Sequence, residues 1–141
     1  MPIYISIQNN KGQFYGGLIQ GYCDYYDSDK KIVKKGYFVN NNLTGPNNII
    51  INYTDMTFKY YLGTFINNKL DGDVIIYQFN GINKILDDIN QNIIVKKSNC
   101  KYSKGNLISI NSSKDVNVNI SVDYQIINEI KFMIKFTLIE I

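Results

Sequence analysis

The residues that could carry catalysis are a few carboxylates, because the chain contains no histidine. Histidine is the commonest general base and metal ligand, so nucleophile–histidine arrangements are excluded. Asp24, Asp27 and Asp29 cluster in one predicted loop, and Asp71 and Asp73 lie two residues apart. Neither group has the spacing of a calcium loop, and the chain has no phosphate-binding glycine motif. We therefore expect turn and solvation roles for these carboxylates, no metal, no cofactor and no enzymatic activity.

The densest basic cluster is a candidate site for anionic lipid. It consists of four lysines with two tyrosines beside them: Lys30, Lys31, Lys34, Lys35, Tyr25 and Tyr26. Each lysine near an anionic membrane surface contributes about 1 kcal/mol of attraction. The alternative, which composition favours, is that these lysines protect an exposed β edge from aggregation. A second group, Lys96, Lys97, Lys101 and Lys104, has the same two interpretations.

The last predicted strand, residues 130–141, is a candidate interface for another protein. One face is apolar throughout, and the opposite face adds Met133, Ile139 and Ile141. Apolar residues on both faces predict coverage by another chain, or pairing of an exposed edge with a partner strand. The alternative is a central strand whose two faces are both covered within this domain.

Composition predicts a single all-β domain over residues 1–141. Of the 141 residues 45% are hydrophobic, alanine is absent, and isoleucine, asparagine, lysine and tyrosine supply about half of the chain. Isoleucine and tyrosine favour strands, and asparagine favours turns. The codons of those four residues are A/T-rich, which indicates a low-GC bacterium. The net charge is only +3 and arginine is absent, so nucleic acid is not an expected partner.

The pattern along the chain predicts an antiparallel meander of hairpins. Residues 3–7 alternate as a strand, and residues 114–141 predict a C-terminal hairpin that turns at Asn128-Glu129. Residues 82–93 have helical spacing and favour one short helix, with two short strands as the alternative. Residues 96–104 predict an exposed loop.

An internal repeat occupies residues 12–81. Three copies follow G-x-F-φ-x-x-x-φ-x-G, where φ is aliphatic or tyrosine, and they begin at Gly12, Gly36 and Gly63. Each copy predicts a hairpin in which Gly-Gly or Asn-Asn forms a turn with positive φ. The copies are offset by 24 and 27 residues, within the range that indicates stacked units.

Two further features bear on the compartment. Cys23 and Cys100 lie far apart with no CxxC spacing, so we expect two free, partly buried thiols. No Sec-type signal and no apolar run long enough to span a membrane are visible. The expectation is a leaderless soluble protein, cytoplasmic or released without a Sec-type signal.

The third repeat, Tyr61-Leu-Gly-Thr-Phe-Ile-Asn-Asn-Lys-Leu-Asp-Gly72, resembles a MORN repeat, whose pattern is Y-x-G-x-F-x-N-G-x-x-x-G. The copies at Gly12 and Gly36 lack the tyrosine that precedes the first glycine. The resemblance implies stacked hairpins that act as a scaffold and bind a peptide, a protein or a phosphoinositide.

Size, leaderless start, composition and the all-β pattern are also similar to the smallest orf-X accessory protein of clostridial neurotoxin gene clusters. That family resembles tubular lipid-binding (TULIP) proteins. The resemblance implies pairing with a larger β-rich chain and binding of phosphoinositide lipids. The leading expectation is therefore a non-enzymatic accessory module that docks on a larger β-rich partner and contacts anionic lipid. The rival is a MORN-like scaffold that binds a peptide or protein through its hairpin face.

Overall fold

The computed structural model describes residues 3–7, 13–15, 18–27, 32–54, 57–80, 90–127 and 129–141. Over these residues the chain forms eleven strands and no helix, which confirms the all-β prediction. The strands are β1 Ile3–Ile7, β2 Gln13–Tyr15, β3 Leu18–Asp27, β4 Ile32–Val39, β5 Asn42–Leu43, β6 Gly45–Tyr53, β7 Thr57–Ile66, β8 Lys69–Asn80, β9 Asn90–Ser103, β10 Asn106–Ile127 and β11 Ile130–Glu140.

All of these strands belong to one antiparallel sheet. Its order is β1-β3-β4-β6-β7-β8-β9-β10-β11, with β2 paired to β3 and β5 paired to β4. Neighbours in the sheet are therefore mostly neighbours in sequence, as a meander requires, and the predicted C-terminal hairpin is β10–β11. The sheet curls until β1 approaches β11.

The main core lies on the inner face of the curled sheet. It contains Val33, Ile51, Tyr53, Phe58, Tyr60, Tyr77, Val95, Val118, Ile120, Val122 and Phe136. Phe136 of β11, at one end of the sheet, packs against a strand in its middle, because its ring meets Phe58 of β7 edge-on with the centroids 5.9 Å apart. The Lys35 ammonium of β4 donates to the Phe136 carbonyl at 3.2 Å. Packing across the curl therefore holds distant strands together.

A second core lies on the opposite face, beside the hairpin turns. It contains Ile19, Cys23, Phe38, Leu43 and Phe65. The pairing of β6 with β7 is irregular between Gly45 and Asn48, which shifts the alternation of side chains. Leu43 therefore packs on the same face as Ile50.

The second and third repeats form the hairpins that the sequence predicts. Both residues of each turn have positive φ: Asn40 49°, Asn41 70°, Asn67 49° and Asn68 68°. Such turns match the right-handed twist of the strands that they join, and asparagine tolerates them best after glycine. The first repeat forms the β2–β3 hairpin, and its Gly16-Gly17 turn lies outside the described residues.

The first glycine of the second repeat, Gly36, and that of the third, Gly63, lie where a side chain would clash with a neighbouring residue. A Cβ on Gly36 would lie 2.0 Å from Oδ1 of Asn48. The Asn48 side chain is buried in that space, where its Oδ1 accepts from the Tyr37 amide at 3.1 Å and its Nδ2 donates to the Gly45 carbonyl at 3.1 Å. At Gly63 a Cβ would lie 2.8 Å from the carbonyl oxygen of Asp73 in β8.

A fourth hairpin, β9–β10, has the same geometry. Its turn residues Lys104 and Gly105 have φ of 50° and 85°, and Tyr102 pairs with Leu107 as Phe65 pairs with Leu70. The predicted loop over residues 96–104 is therefore wrong, because these residues lie in β9 and its turn. Residues 90–93 also belong to β9 and not to a helix, whereas residues 81–89 lie outside the described residues.

Candidate functional site

The described carboxylates do not converge on one site. The Asp24 side chain is buried on β3, and Asp73 is exposed on β8. Oδ1 of Asp71 accepts from the Lys104 amide at 3.1 Å, which is a turn role. No group of three or more potential metal ligands occurs within the described ranges.

The strand geometry divides the predicted lipid-binding cluster. Lys34 and Lys35 are adjacent on β4, so their side chains leave opposite faces of the sheet. The Lys34 ammonium lies 6.0 Å from the ring centroid of Tyr25, beside the second core. Lys35 reaches Phe136 on the inner side. Lys30 and Lys31 lie outside the described residues, and of Tyr26 only the backbone, paired with Val33, is described.

The second basic group is also divided. The Lys97 ammonium bonds to the Glu140 carboxylate at 3.1 Å and lies 5.7 Å from the ring centroid of Tyr77. The hydrogen bond to Glu140 raises the pKa of Lys97. Lys96, Lys101 and Lys104 are exposed.

Exposed apolar side chains concentrate at the C-terminal strands. Six of the ten exposed large hydrophobic residues among the described side chains lie on β9, on β10 or at the end of β11: Ile94, Leu107, Ile108, Ile110, Ile139 and Ile141. These six residues do not form one patch: Leu107, Ile108 and Ile110 lie at the upper end of β10, whereas Ile94 pairs with Asn117 and Ile139 with Asn119 further along the strand. Ile139 and Ile141, two of the predicted interface residues, are 58% and 73% exposed. Of the third, Met133, only the backbone is described, and it pairs with Tyr124.

The upper part of β10 has one open edge. Residues 118–127 of β10 pair with β11, and the Ile141 amide donates to the Asn117 carbonyl at 3.0 Å. Residues 106–116 pair with β9 on one side, and no described strand lies on their other side. We call residues 106–116 the upper β10 edge. Sequence reasoning missed it because the segment from Ser109 to Asp115 lacks clear alternation, although the apolar Leu107, Ile108 and Ile110 were visible.

The two thiols are structural. Cys23 and Cys100 are buried and free, which confirms the prediction for both. Burial and the nearby Asp24 charge raise the pKa of Cys23 to about 11. Burial also raises the pKa of Cys100. Because the thiolate is the reactive species, neither thiol is suited to act as a nucleophile.

A shallow groove of about 420 Å³ crosses the hairpin face beside the second core. Its apolar wall includes Ile50, Tyr61 and Leu70, and Lys104 and Asn106 supply polar groups. The groove combines apolar area with a few polar groups, as small-molecule and cofactor sites do.

Comparisons with protein-family models, curated proteins and solved structures found no match to this chain. In the described part of the chain, no helix has the length and apolar character needed to cross a membrane.

Proposed function

We propose that this chain is a non-enzymatic accessory module that docks on a larger β-rich protein through the upper β10 edge and its exposed apolar side chains. The observation that carries the proposal is that an open strand edge and exposed apolar residues occur together: the edge bears Leu107, Ile108 and Ile110, which are 49%, 62% and 59% exposed.

The physical reason is that an open edge beside apolar side chains favours association. An unpaired strand edge offers a row of amide and carbonyl groups to another strand, and proteins that stay monomeric usually protect such edges with charge or proline. Here the apolar Leu107 and Ile108 lie near the start of the edge, and Lys114 and Asp115 lie near its far end. Backbone hydrogen bonds would supply affinity, and the isoleucine side chains would add buried apolar area.

Capture experiments with matched baits test this proposal. The wild-type chain, an edge variant (Ile108→Lys with Ile110→Lys) and a control variant (Val39→Lys with Ile66→Lys) are used to recover proteins from the source cells. Val39 and Ile66 are exposed by 42% and 52% and lie away from the edge. We expect one β-rich protein at a constant ratio with the wild type and the control, and its loss with the edge variant. Equal recovery by all three baits would refute edge docking.

Anionic lipid is a second candidate ligand, favoured by the tip of the β9–β10 hairpin. Exposed Lys101 and Lys104 lie beside exposed Leu107 and Ile108, which combines positive charge with apolar side chains. Flotation with phosphatidylserine or phosphoinositide liposomes tests this candidate. Charge reversal of both lysines should abolish flotation, whereas reversal of the exposed Lys59 should not; equal flotation of all three proteins contradicts lipid binding at this tip.

A scaffold that binds a peptide in the groove of the hairpin face is the third candidate. Its supporting observation is the apolar wall formed by Ile50, Tyr61 and Leu70. Tyr61→Lys is the direct test, because it replaces an apolar ring of the groove wall with a charge. This change should abolish partner capture if the groove is the site, and should leave capture intact if the β10 edge is the site.

A further inference from the structure

The four hairpins stack through hydrogen bonds that repeat from one hairpin to the next. In each step the amide of the second turn residue donates to the carbonyl of an apolar residue in the preceding hairpin. The distances are 3.1, 2.9 and 2.8 Å, for Asn41 to Ile19, Asn68 to Leu43 and Gly105 to Leu70. In the first two steps the asparagine Oδ1 also accepts from the amide of that apolar residue, at 2.7 Å in both cases.

The first turn residue of each hairpin is also hydrogen-bonded to the preceding hairpin. Its amide donates to a side-chain oxygen of the residue that comes directly after the apolar residue of that preceding hairpin. The three bonds are Asn40 to Gln20 at 3.2 Å, Asn67 to Thr44 at 3.1 Å and Lys104 to Asp71 at 3.1 Å. Each hairpin therefore presents one carbonyl and one side-chain oxygen that together receive the turn of the next hairpin.

Leu107 occupies the equivalent position in the fourth hairpin, where the stack ends. Ile19 and Leu43 are covered by the next turn and are 8% and 0% exposed, whereas Leu107 is 49% exposed. Within the described residues no fifth hairpin covers it. The neighbouring Ile108 replaces Gln20, Thr44 and Asp71, so the side-chain oxygen is missing at this end.

We propose that the partner completes the stack by placing a β-hairpin turn on Leu107 and Ile108, an inference that rests on the proposed docking at this edge. The turn would have positive φ at both residues and asparagine at the second, as in the steps within the chain. The pairing of β10 is irregular between Leu107 and Ser109 and between Ile110 and Ser112. These irregularities divide the edge into short stretches, and a compact turn needs only the first of them, at Leu107 and Ile108.

Synthetic hairpins and one substitution test the inference. The probe is a peptide with the sequence of residues 64–71, closed by a disulfide between cysteines added at its two ends, and its matched control carries D-alanine at the position of Asn68. D-alanine keeps the positive φ but removes the amide oxygen. We expect the probe to bind with chemical-shift changes at the Leu107 and Ile108 amides, and the control to bind about tenfold more weakly, the effect of losing one hydrogen bond.

Ile108→Thr distinguishes stacking from simple apolar contact. Threonine restores the oxygen that Thr44 supplies in the second hairpin, so we expect the probe to bind about threefold to tenfold more tightly. An apolar patch would instead lose affinity. Ile66→Thr is the matched control on another hairpin and should leave binding unchanged. Weaker binding by the Ile108→Thr variant would overturn the inference.

The remaining outcomes separate this inference from the proposed function. If an extended peptide binds residues 106–116 and the hairpin does not, or if neither peptide binds, the inference is overturned. The proposed function then still stands on the capture experiment. A wild-type dimer in sedimentation that Leu107→Asp abolishes would assign the site to a second copy and also overturn the partner hairpin.

Discussion

Asn68 offers a quantitative test of how the hairpins are held together. Its Oδ1 accepts from the partly buried Leu43 amide at 2.7 Å, its Nδ2 donates to Asn42 Oδ1 at 2.8 Å, and its φ is 68°. Asn68→Ala leaves the Leu43 amide without this acceptor, which costs about 1–3 kcal/mol. It also forces alanine into the left-handed region, which costs about 1–2 kcal/mol. We expect a loss of about 2–5 kcal/mol in the free energy of unfolding.

Asn68→Gly separates the two contributions, because glycine accepts the positive φ but lacks the amide. It should therefore lose only about 1–3 kcal/mol. Urea denaturation followed by tyrosine emission measures both values, since the chain has 12 tyrosines and no tryptophan. Asn92→Ala, which removes an exposed bond to Asn119, is the control and should change stability by less than about 0.5 kcal/mol. Equal losses for alanine and glycine, or losses no larger than the control, would refute this account of the stack.

Four further predictions concern three residues, Gly36, Cys23 and Lys35. Gly36→Ala should destabilise the fold by about 2–4 kcal/mol in urea denaturation, because the new Cβ displaces buried Asn48 from its two hydrogen bonds; an unchanged midpoint would contradict that packing. Cys23 should resist alkylation at pH 8 until the chain unfolds, and labelling of the native protein at the rate of a free thiol would contradict its burial. Because the folded pKa of Cys23, about 11, lies above its ordinary 9.0, its contribution to stability is present below about pH 9 and is lost as the pH rises through about 11; Cys23→Ala should weaken that part of the alkaline decline. Lys35→Glu should lower the thermal midpoint because it removes the bond to the Phe136 carbonyl, whereas a midpoint equal to the wild type would show that this bond is dispensable.

The strands and hairpins were predictable because they depend on local patterns. Alternation identified β1 and the β10–β11 hairpin, and paired asparagines identified two turns with positive φ. The fourth hairpin does not match the repeat pattern, because Cys100 and Ser109 occupy the positions of the flanking glycines. The turn residues Lys104-Gly105, together with Tyr102 and Leu107 at the two apolar positions, could have indicated this hairpin from the sequence.

The features that decide the candidate site depend on contacts between distant residues. No local pattern indicates that Phe136 packs on Phe58 and so curls the sheet. The upper β10 edge exists because β11 pairs only with the lower part of the much longer β10, and relative strand lengths follow from the whole fold. The division of Lys34 from Lys35, in contrast, follows from strand geometry and could have been predicted once β4 was assigned.

Hydrogen–deuterium exchange of the captured complex tests the central claim most directly. The amides of residues 106–116 are compared in the free chain and in the complex, with residues 118–121, already paired with both β9 and β11, as the internal reference. Docking at the upper β10 edge predicts slower exchange over residues 106–116 in the complex and little change in the reference. Unchanged exchange over residues 106–116, together with new protection elsewhere in the chain, would contradict the claim and place the partner on another surface.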